Sequence, residues 1–325
     1  MKDSFGRTID YMRVSITDRC NLRCRYCMPE DIDLVPMSQI LSMEEFAQAA
    51  KAAAALGICH IKLTGGEPLI RKGLDLLIRL LKSTPGIEKV TLTTNGILLR
   101  EKLESLMEAG LDAVNISLDT TDPEKYRQIT GRDGVSEVLA ALDQVCKKGL
   151  PVKINAVSVR QEKRDIQALV NLAKDRPVDV RFIEMMPIGN GKDFPAMSNP
   201  EIFEILKGLY PGLKEDKSQH GFGPASYYTL PGYEGSIGFI SAIHGKFCKG
   251  CNRVRLTSQG YLKTCLCYEN GTDLRRILRS DLPEEEIQRQ LILAIQDAVE
   301  HKPREHCFES AEAVTEAATM NAIGG

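Results

Sequence analysis

The sequence lacks any long hydrophobic run and carries little net charge. No stretch approaches the roughly 18 consecutive apolar residues of a membrane span, so no transmembrane helix is predicted. The opening residues, MKDSFGRTIDYMRV, contain no apolar segment of the kind that marks a signal peptide, and we expect a cytoplasmic protein. The formal net charge of -2 gives no reason to expect a nucleic-acid or an anionic-membrane partner.

The sequence does have enough apolar residues for a core, and it has many cysteines. Of its 325 residues, 43% are hydrophobic and 26% are charged, which is typical of a soluble globular protein with one large or two ordinary domains. It contains ten cysteines. Because thiols stay reduced in the cytoplasm, clustered cysteines there are more often metal ligands or catalytic groups than disulfides.

Between residue 11 and about residue 185, short runs rich in Val, Ile and Thr alternate with longer helix-like stretches. The six strand candidates are YMRVSIT, HIKLTGG, KVTLTTN, AVNISLD, VKINAVSV and VRFIEMM. The first helix candidate opens with Ser42 and Glu45, a capping-box spacing, and three of the helices end in Gly57, Gly110 and Gly149. This order predicts a parallel sheet, either an open sheet or an incomplete barrel, with functional residues at the carboxyl ends of the strands.

Beyond residue 190 the regular alternation ends. A loop and one helix are followed by a stretch rich in Gly and Tyr, HGFGPASYYTLPGYEGSIGFISAIHGKFCKGCNRVRL, for which we expect short antiparallel strands or irregular structure. The segment LPEEEIQRQLILAIQDAVEH predicts a helix near the end of the chain.

Three cysteines, Cys20, Cys24 and Cys27, lie within eight residues directly after the first strand candidate. Structural zinc usually needs four protein ligands, and no Cys or His occurs between positions 28 and 58. A missing ligand suggests a metal centre with an open position, and iron–sulfur clusters are the usual all-thiolate alternative. A zinc site completed from a distance and a redox-labile thiol cluster remain as other interpretations.

The cysteine spacing, with Tyr26 just before the last cysteine, resembles the signature of the radical S-adenosylmethionine (SAM) superfamily. The resemblance implies an incomplete (β/α)6 TIM-like barrel. It also implies a [4Fe-4S] cluster whose free iron binds SAM and cleaves it to a 5′-deoxyadenosyl radical. By family position, the SAM contacts are Tyr26, Gly66 in LTGGEP, Ser117 in NISLD and Met186 in RFIEMM.

A second cysteine set, Cys248, Cys251 and Cys265, is spaced two and then thirteen residues apart, with Cys267 as a fourth thiol nearby. From their chemistry alone these four could form a structural zinc ribbon, and Cys265 and Cys267 are hard to tell apart. Together with the first set, however, they resemble the GTP 3′,8-cyclase family over nearly the whole chain. That resemblance implies a second [4Fe-4S] cluster on Cys248, Cys251 and Cys265, with an open iron that binds the guanine of GTP.

Basic residues supply candidate contacts to the triphosphate of GTP. Arg253 and Arg255 lie two residues apart in CNRVRL, so in an extended strand both would point to one face, and Arg can bind phosphate through two hydrogen bonds. Family position adds Val254, through its backbone, and the remaining GTP candidates are Arg13, Lys62, Thr93 and Lys153. The family commonly has Arg at position 62. Lys62 keeps the positive charge but lacks the planar guanidinium that can form two parallel hydrogen bonds to a phosphate.

The chain ends in MNAIGG, and by the same resemblance Gly324 and Gly325 reach the active site and support the radical chemistry. We expect residues 1–190 to form the radical SAM partial barrel and residues 191–325 to form a segment with the auxiliary cluster and substrate-binding residues. The implied reaction converts GTP to 3′,8-cyclo-7,8-dihydro-GTP, a lyase reaction and the first step of molybdenum cofactor biosynthesis.

The resemblance also implies partners for this reaction. They are an electron donor such as a flavodoxin or ferredoxin, the next pathway enzyme (cyclic pyranopterin monophosphate synthase), and a second copy of the chain in a homodimer. Two other functions stay open at this point. One is a radical SAM peptide-maturing enzyme with an auxiliary cluster, and the other is a non-enzymatic zinc-binding interaction protein.

Overall fold

Six parallel strands form the centre of the fold in a computed structural model that describes residues 1–28, 32 and 34–324. They pair in sequence order, each strand with the next. The strands are β1 (Tyr11–Ser15), β2 (His60–Thr64), β3 (Lys89–Thr94), β4 (Ala113–Ser117), β5 (Val152–Val157) and β6 (Val178–Ile183). All six predicted strands are therefore confirmed, and their neighbours are parallel, as the alternation with helices requires.

Helices connect these strands on the outside of the sheet. They are α1 (Met43–Ala55), α2 (Leu74–Lys82), α3 (Leu99–Glu108), α4 (Pro123–Thr130), α5 (Val135–Lys147) and α6 (Lys163–Val170). The predicted capping box of Ser42 and Glu45 is present at the start of α1. Helix α4 was not predicted, although Asp122 caps it through the backbone N–H of Lys125 and Pro123 occupies its first turn.

Side chains of the central strands alternate between an apolar outer face and a polar inner face. Outward residues such as Val14, Leu63 and Ile116 are almost fully buried against the helices and form the main core. Inward residues include Arg13, Lys62, Asn115, Lys153 and Arg181. The strand register pairs Arg13 with Lys62 and Asn115 with Lys153, and it pairs Arg181 with Asn155. The sheet therefore encloses a lumen lined by polar and positively charged groups.

The C-terminal part extends this sheet at both edges. After α7 (Asn199–Leu209), the hairpin strands β7 (Lys214–Asp216), β8 (Ser226–Thr229) and β9 (Ser236–Ile240) are followed by β10 (Arg253–Leu256), β11 (Tyr261–Lys263) and β12 (Thr272–Asp273). Within the described residues, the sheet has twelve strands in the order β12-β11-β10-β1-β2-β3-β4-β5-β6-β9-β8-β7. The expectation of antiparallel or irregular structure was partly wrong, because β9 runs parallel to β6 and β10 runs parallel to β1.

The chain ends with α8 (Arg275–Leu278), the predicted long helix α9 (Glu284–Glu300) and α10 (Met320–Ile323). Helix α9 packs on α1 and so ties the C-terminal part to the start of the barrel. Short 3-10 turns occupy Met37–Gln39, Pro68–Ile70, Asn171–Ala173, Gly189–Lys192, Cys248–Gly250 and Ala311–Ala313. Among the helices that the structure describes, none has the length and apolar character needed to cross a bilayer.

Candidate active site

The first cysteine set lies at the carboxyl end of β1. The thiols of Cys20, Cys24 and Cys27 line one small pocket together with Gly66 and Asn321. A turn brings the last two cysteines close together, because the backbone N–H of Cys27 donates to the carbonyl of Cys24 at 2.9 Å. The prediction that this motif sits at the carboxyl end of a strand is confirmed.

Burial is the main electrostatic influence on these three thiols. It raises the pKa of Cys20, raises that of Cys24 well above the usual value, and raises that of Cys27 to about 12. A set of three sulfur donors that line one small pocket fits an iron–sulfur cluster, whose binding would displace the thiol protons.

Two glycines explain how the cysteine loop is held. The N–H of Gly66 donates to the carbonyl of Thr17 at 2.7 Å, and the N–H of Glu67 donates to the carbonyl of Arg19 at 2.7 Å. A Cβ atom on Gly66 would lie 2.2 Å from the Arg19 carbonyl oxygen, and one on Gly65 would lie 2.6 Å from that of Thr17. The LTGGEP segment thus has glycines because its backbone lies directly against the cysteine loop.

Glu67 has a structural role that the sequence did not reveal. Its buried carboxylate accepts hydrogen bonds from the Leu69 N–H (2.9 Å), the Thr94 hydroxyl (2.8 Å) and the Asn95 N–H (2.7 Å). Burial raises its pKa to about 7, although these three hydrogen bonds act in the opposite direction. Glu67 therefore fixes the loop after β2 to the end of β3.

Tyr26 is held by a second buried carboxylate. Its hydroxyl donates to Asp119 at 2.6 Å, and the other Asp119 oxygen accepts from the Val157 N–H at 2.8 Å. Burial raises the pKa of Asp119 to about 6. The two remaining SAM candidates are half-buried, Ser117 at the end of β4 and Met186 just after β6, so all four candidates lie at the carboxyl end of the barrel.

The second cysteine set lies at the opposite end of the lumen. Cys248 and Cys251 precede β10, and the Asn252 carbonyl accepts from the Tyr11 N–H at the start of β1. Cys265 follows β11, which is antiparallel to β10, and so returns to the same end. The expectation that all functional residues lie at carboxyl ends was thus wrong for this set, because it is carried by β10 rather than by a βα connection.

Two buried cations beside this second set were missed by sequence reasoning. The Lys302 ammonium donates to the Arg253 carbonyl at 3.0 Å, and the Arg7 guanidinium donates to the Cys248 carbonyl at 3.0 Å. Burial raises the pKa of Cys251, but Lys302, Arg253 and Arg7 outweigh it, so that the pKa is lowered. Burial raises the pKa of Cys248 and of Cys265, so the cations favour the thiolate form only at Cys251. Three sulfur donors beside buried cations fit a second cluster.

The structure separates Cys265 from Cys267. Cys265 interacts electrostatically with Cys248 and Cys251, whereas Cys267 is fully buried and lies 2.8 Å from the sulfur of Cys307. The sequence alone did not distinguish Cys265 from Cys267. In the structure, Cys265 is the one that lies with Cys248 and Cys251.

Basic residues line the lumen between the two cysteine sets. The strand register places Arg13 directly between Lys62 on β2 and Arg255 on β10, with Arg253 on the same face. Burial lowers the pKa of Arg255 to about 9, with Arg13 and Arg253 adding to the effect. Val254 points to the opposite side and is fully buried in the core, so only its backbone is available to a ligand in the lumen.

The pKa of Lys62 is lowered as well. Burial, followed by the charges of Arg181 and Arg13, lowers its pKa well below the usual value. With its amide oxygen turned toward the lumen, Asn115 accepts from Lys62 Nζ at 2.8 Å and from Arg181 at 2.9 Å. Arg181 was not identified from the sequence, although it is a charged residue inside the apolar run VDVRFI, as Lys62 is inside HIKLT.

Thr93 and Lys153 differ in whether their side chains already form hydrogen bonds or ion pairs within the protein. The buried hydroxyl of Thr93 has no hydrogen-bond partner within the described residues, so it is available to a ligand. The Lys153 ammonium instead pairs with Asp179 at 2.6 Å and donates to the Tyr227 hydroxyl at 3.1 Å and to the His220 carbonyl. A substrate contact at Lys153 would therefore have to share this ammonium with Asp179.

The C-terminal tail enters the lumen from the carboxyl end. Arg255 donates to the Gly324 carbonyl at 2.6 Å, and a Cβ on Gly324 would lie 3.0 Å from that of Ser15. The Asn321 amide donates to the Asp18 carbonyl at 3.0 Å beside the first cysteine set. The predicted approach of Gly324 is consistent with these contacts, whereas Gly325 lies outside the described residues.

Comparison with known proteins agrees with this architecture. The family model described as the radical SAM superfamily matches residues 14–173, and that described as Molybdenum Cofactor Synthesis C matches residues 178–308. The GTP 3′,8-cyclases of Clostridium perfringens (strain 13 / Type A) and Moorella thermoacetica are 42% and 43% identical to this chain, each over 100% of both proteins.

Solved structures show the same fold at low sequence identity. SuiB of Streptococcus suis, bound to its precursor peptide SuiA, has a TM-score of 0.65 and 14% identity, covering 96% of this chain and 76% of its own. Another structure of SuiB, bound to S-adenosylmethionine, has a TM-score of 0.63.

The full-length relatives identify the family, because this chain aligns with them from end to end. The two cysteine sets and the basic lumen of this chain agree with that identification. The cofactors of this family are two [4Fe-4S] clusters and S-adenosylmethionine. The chain belongs to the GTP 3′,8-cyclase family of the radical SAM superfamily.

Proposed function

We propose that this chain converts GTP to 3′,8-cyclo-7,8-dihydro-GTP, a lyase reaction and the first step of molybdenum cofactor biosynthesis. The observation that carries the proposal is the order of groups along β1. One thiol set lies at each end of this strand, and buried cations lie between them. Because β1 is five residues long, the sets are separated by roughly 17 Å along the strand, a span that suits a nucleoside triphosphate.

The first cysteine set, Cys20, Cys24 and Cys27, would hold the cluster that binds SAM. When bound, the cluster and SAM supply the 5′-deoxyadenosyl radical that removes the 3′ hydrogen of GTP. Gly66 lines the pocket of this cysteine set, so its carbonyl oxygen would accept a hydrogen bond from the methionyl amine. Tyr26, Ser117 and Met186 would complete the SAM site from the cysteine loop and the ends of β4 and β6.

The second set, Cys248, Cys251 and Cys265, would hold the cluster that binds guanine. Lys302 and Arg7 lie beneath it and would offset part of the negative charge of the thiolates. Because GTP would contact both this cluster and the cations above it, its ribose would be held at a fixed place in the lumen.

The cations of the lumen would bind the phosphates. The candidates are Arg13, Lys62, Lys153, Arg253 and Arg255, with Arg181 added from the geometry, together with the Thr93 hydroxyl and the Val254 backbone. A bound anion would offset the repulsion among these buried charges, which supports a polyanionic substrate. Because Lys62 has an ammonium group instead of a guanidinium, it would make one charged contact to a phosphate rather than two parallel hydrogen bonds.

Water must be kept from a primary radical, and both ends of the lumen have candidate covers. At the amino end, the loop between β7 and β8 places Phe222 against His60, with ring centroids 3.5 Å apart. At the carboxyl end, Arg255 donates to the carbonyl of Gly324. By family position, Gly324 and Gly325 would have the catalytic role.

We further propose residues 1–190 and 191–325 as a functional division, the partial barrel and the segment with the auxiliary cluster. The gap between the matched ranges, 14–173 and 178–308, supports a boundary near this point. An electron donor such as a flavodoxin or ferredoxin, delivery of product to cyclic pyranopterin monophosphate synthase, a cytoplasmic location and a homodimer remain predictions.

The test is an anaerobic assay of reduced, cluster-loaded protein with SAM and GTP. We expect roughly eight irons per chain, 5′-deoxyadenosine and a GTP-derived cyclic product in equal amounts. Formation of 5′-deoxyadenosine without a GTP-derived product would point to another substrate, such as a peptide. Colourless protein with one or two zinc ions would instead support the zinc-binding alternative.

Arg253 gives a matched test of the substrate site. Its side chain lies over the rings of Tyr11 and Phe247 beside the second cysteine set. Arg253→Ala should weaken GTP binding by roughly tenfold or more while both clusters stay in place, because one charge-assisted contact is lost. Isothermal titration with GTP is the measurement, and Arg164→Ala, an exposed residue on α6, is the control. Unchanged GTP affinity would remove Arg253 from the site.

A further inference from the structure

A pair of thiols lies outside both cysteine sets. Cys267 and Cys307 have their sulfur atoms 2.8 Å apart, although 40 residues separate them in the chain. Both belong to a second apolar cluster that also contains Leu266, Phe308 and Ile323. Neither residue is needed by the sites proposed above, so the contact calls for an explanation of its own.

The backbone around this thiol pair holds the two sulfurs in place. The Cys307 N–H donates to the Cys267 sulfur at 3.3 Å, and the Cys307 thiol donates to the Ala313 carbonyl at 3.0 Å. Cys267 is fully buried, whereas Cys307 is partly exposed. A dissolved oxidant can therefore reach Cys307 first, with Cys267 placed directly behind it.

We propose that Cys267 and Cys307 form a reversible disulfide, with a small-molecule disulfide such as oxidised glutathione as the oxidant. The Cys307 thiolate attacks one glutathione sulfur, forming a mixed disulfide and releasing one reduced glutathione. The Cys267 thiolate then attacks the Cys307 sulfur, forming the Cys267–Cys307 bond and releasing a second reduced glutathione. Two protein thiols are oxidised, one glutathione disulfide is reduced to two thiols, and the two thiol protons end on glutathione.

The position of this bond gives it a consequence for the enzyme. It joins the turn just after Cys265 to the start of the segment that runs through α10 to Gly324. The tail side chain Ile323 packs in the same apolar cluster as the two thiols. The disulfide therefore restricts the segment that reaches the lumen, and it also keeps the Cys267 sulfur from competing with Cys265 for iron. Disulfides of cytoplasmic proteins are usually transient and redox-sensing, which agrees with a reversible bond.

The test treats the cluster-loaded protein with oxidised glutathione under anaerobic conditions and maps its peptides without reduction. We expect a crosslinked pair of peptides containing Cys267 and Cys307, with eight rather than ten thiols counted after the clusters are released. Iron content should not change, and dithiothreitol should restore both thiols. Cleavage after the exposed Arg304 should leave the C-terminal peptide attached until reductant is added.

Variants keep this test decisive even if one of them folds poorly. Cys307→Ser and Cys267→Ser should each lose the crosslink, whereas Cys146→Ser, at a half-buried cysteine on α5, should keep it. In Cys267→Ser, Cys307 should stop at the stable mixed disulfide with glutathione. The proposal is overturned if oxidation leaves both thiols free, if it links either one to Cys265, or if it occurs only together with loss of iron. These outcomes do not depend on whether GTP is the substrate.

Discussion

At the scale of single residues, the buried cations that line the lumen are candidate binding groups for GTP, and they also destabilise the folded protein. Lys62, Arg13 and Arg255 are neighbours in the strand register, and burial lowers the pKa of each. Like charges held close together in a buried space destabilise the fold until an anion binds. The residues that would recognise GTP are therefore expected to reduce the stability of the GTP-free protein.

We predict that Lys62→Met will raise the unfolding free energy of the GTP-free protein by about 1–3 kcal/mol and weaken GTP binding roughly tenfold or more. The folded-state pKa of Lys62 lies below that of the unfolded chain, so the unfolded state binds more protons. The stability of the wild type should therefore gain a contribution as pH rises toward about 10.4, and Lys62→Met should lack it.

Urea unfolding at several pH values measures the stability effect, and titration with GTP measures the affinity. Lys163→Met is the matched control, because Lys163 is exposed at the start of α6 and should alter neither quantity. A loss of stability in Lys62→Met, or an identical pH dependence in both variants, would contradict this account of the lumen.

At the scale of elements, two loops support each other at the carboxyl end of the barrel. The cysteine loop after β1 rests on the glycines after β2, and Glu67 fixes those glycines to the end of β3. The Tyr26–Asp119 hydrogen bond holds the same loop to the end of β4. The first cysteine set is thus positioned by four neighbouring strand ends as well as by its own turn.

Gly66→Ala should disrupt the first cluster site selectively. A Cβ at this position would lie 2.2 Å from a backbone oxygen, which cannot move without shifting the cysteine loop. We expect iron to fall from roughly eight to roughly four per chain, with SAM cleavage lost. Iron analysis and electron paramagnetic resonance of the reduced protein are the measurements.

Gly208→Ala provides the control for the same type of substitution. Gly208 lies within α7, and a Cβ there would meet no atom within 4 Å. This change should leave both clusters intact and stabilise the protein by up to about 1 kcal/mol, because alanine favours helix. Equal iron contents in the two variants would show that the close approach at Gly66 is not needed for the cluster.

At the scale of the whole molecule, the C-terminal tail connects the two ends of the lumen. Asn321 contacts the cysteine loop through the Asp18 carbonyl, and Gly324 contacts Arg255 on β10. Arg7 joins the opposite end by donating to the carbonyls of Pro303 and Arg304. The segment after α9 is therefore fastened at both ends of the barrel.

Removing Gly324 and Gly325 should reduce turnover of GTP strongly without unfolding the protein, because two glycines bury little apolar surface. Loss of the Gly324 contact also frees the Arg255 guanidinium, so GTP binding should persist while product formation falls. Product formation and the melting temperature are measured on the same preparation. Full activity of the truncated chain, or a large drop in its melting temperature, would contradict the assigned role of the tail.

The sequence by itself determined the six central strands, the cysteine spacing and most of the charged strand positions. These features are local, because residues close together in the sequence determine both the strand pattern and the spacing of the cysteine ligands. Lys62 was identified through the family resemblance, and Arg181 was not identified, although both are charges inside an apolar strand. Helix α4 was also signalled locally by Asp122 and Pro123.

Only the tertiary structure decided which distant groups meet. The parallel addition of β10 to β1 places the second cysteine set at the amino end of the lumen, and no local pattern states which strand β10 will join. The same is true of Lys302 beneath Cys251, of Glu67 at the end of β3, and of the contact between Cys267 and Cys307. Such contacts depend on long-range pairing and burial, which arise only when the whole chain is packed.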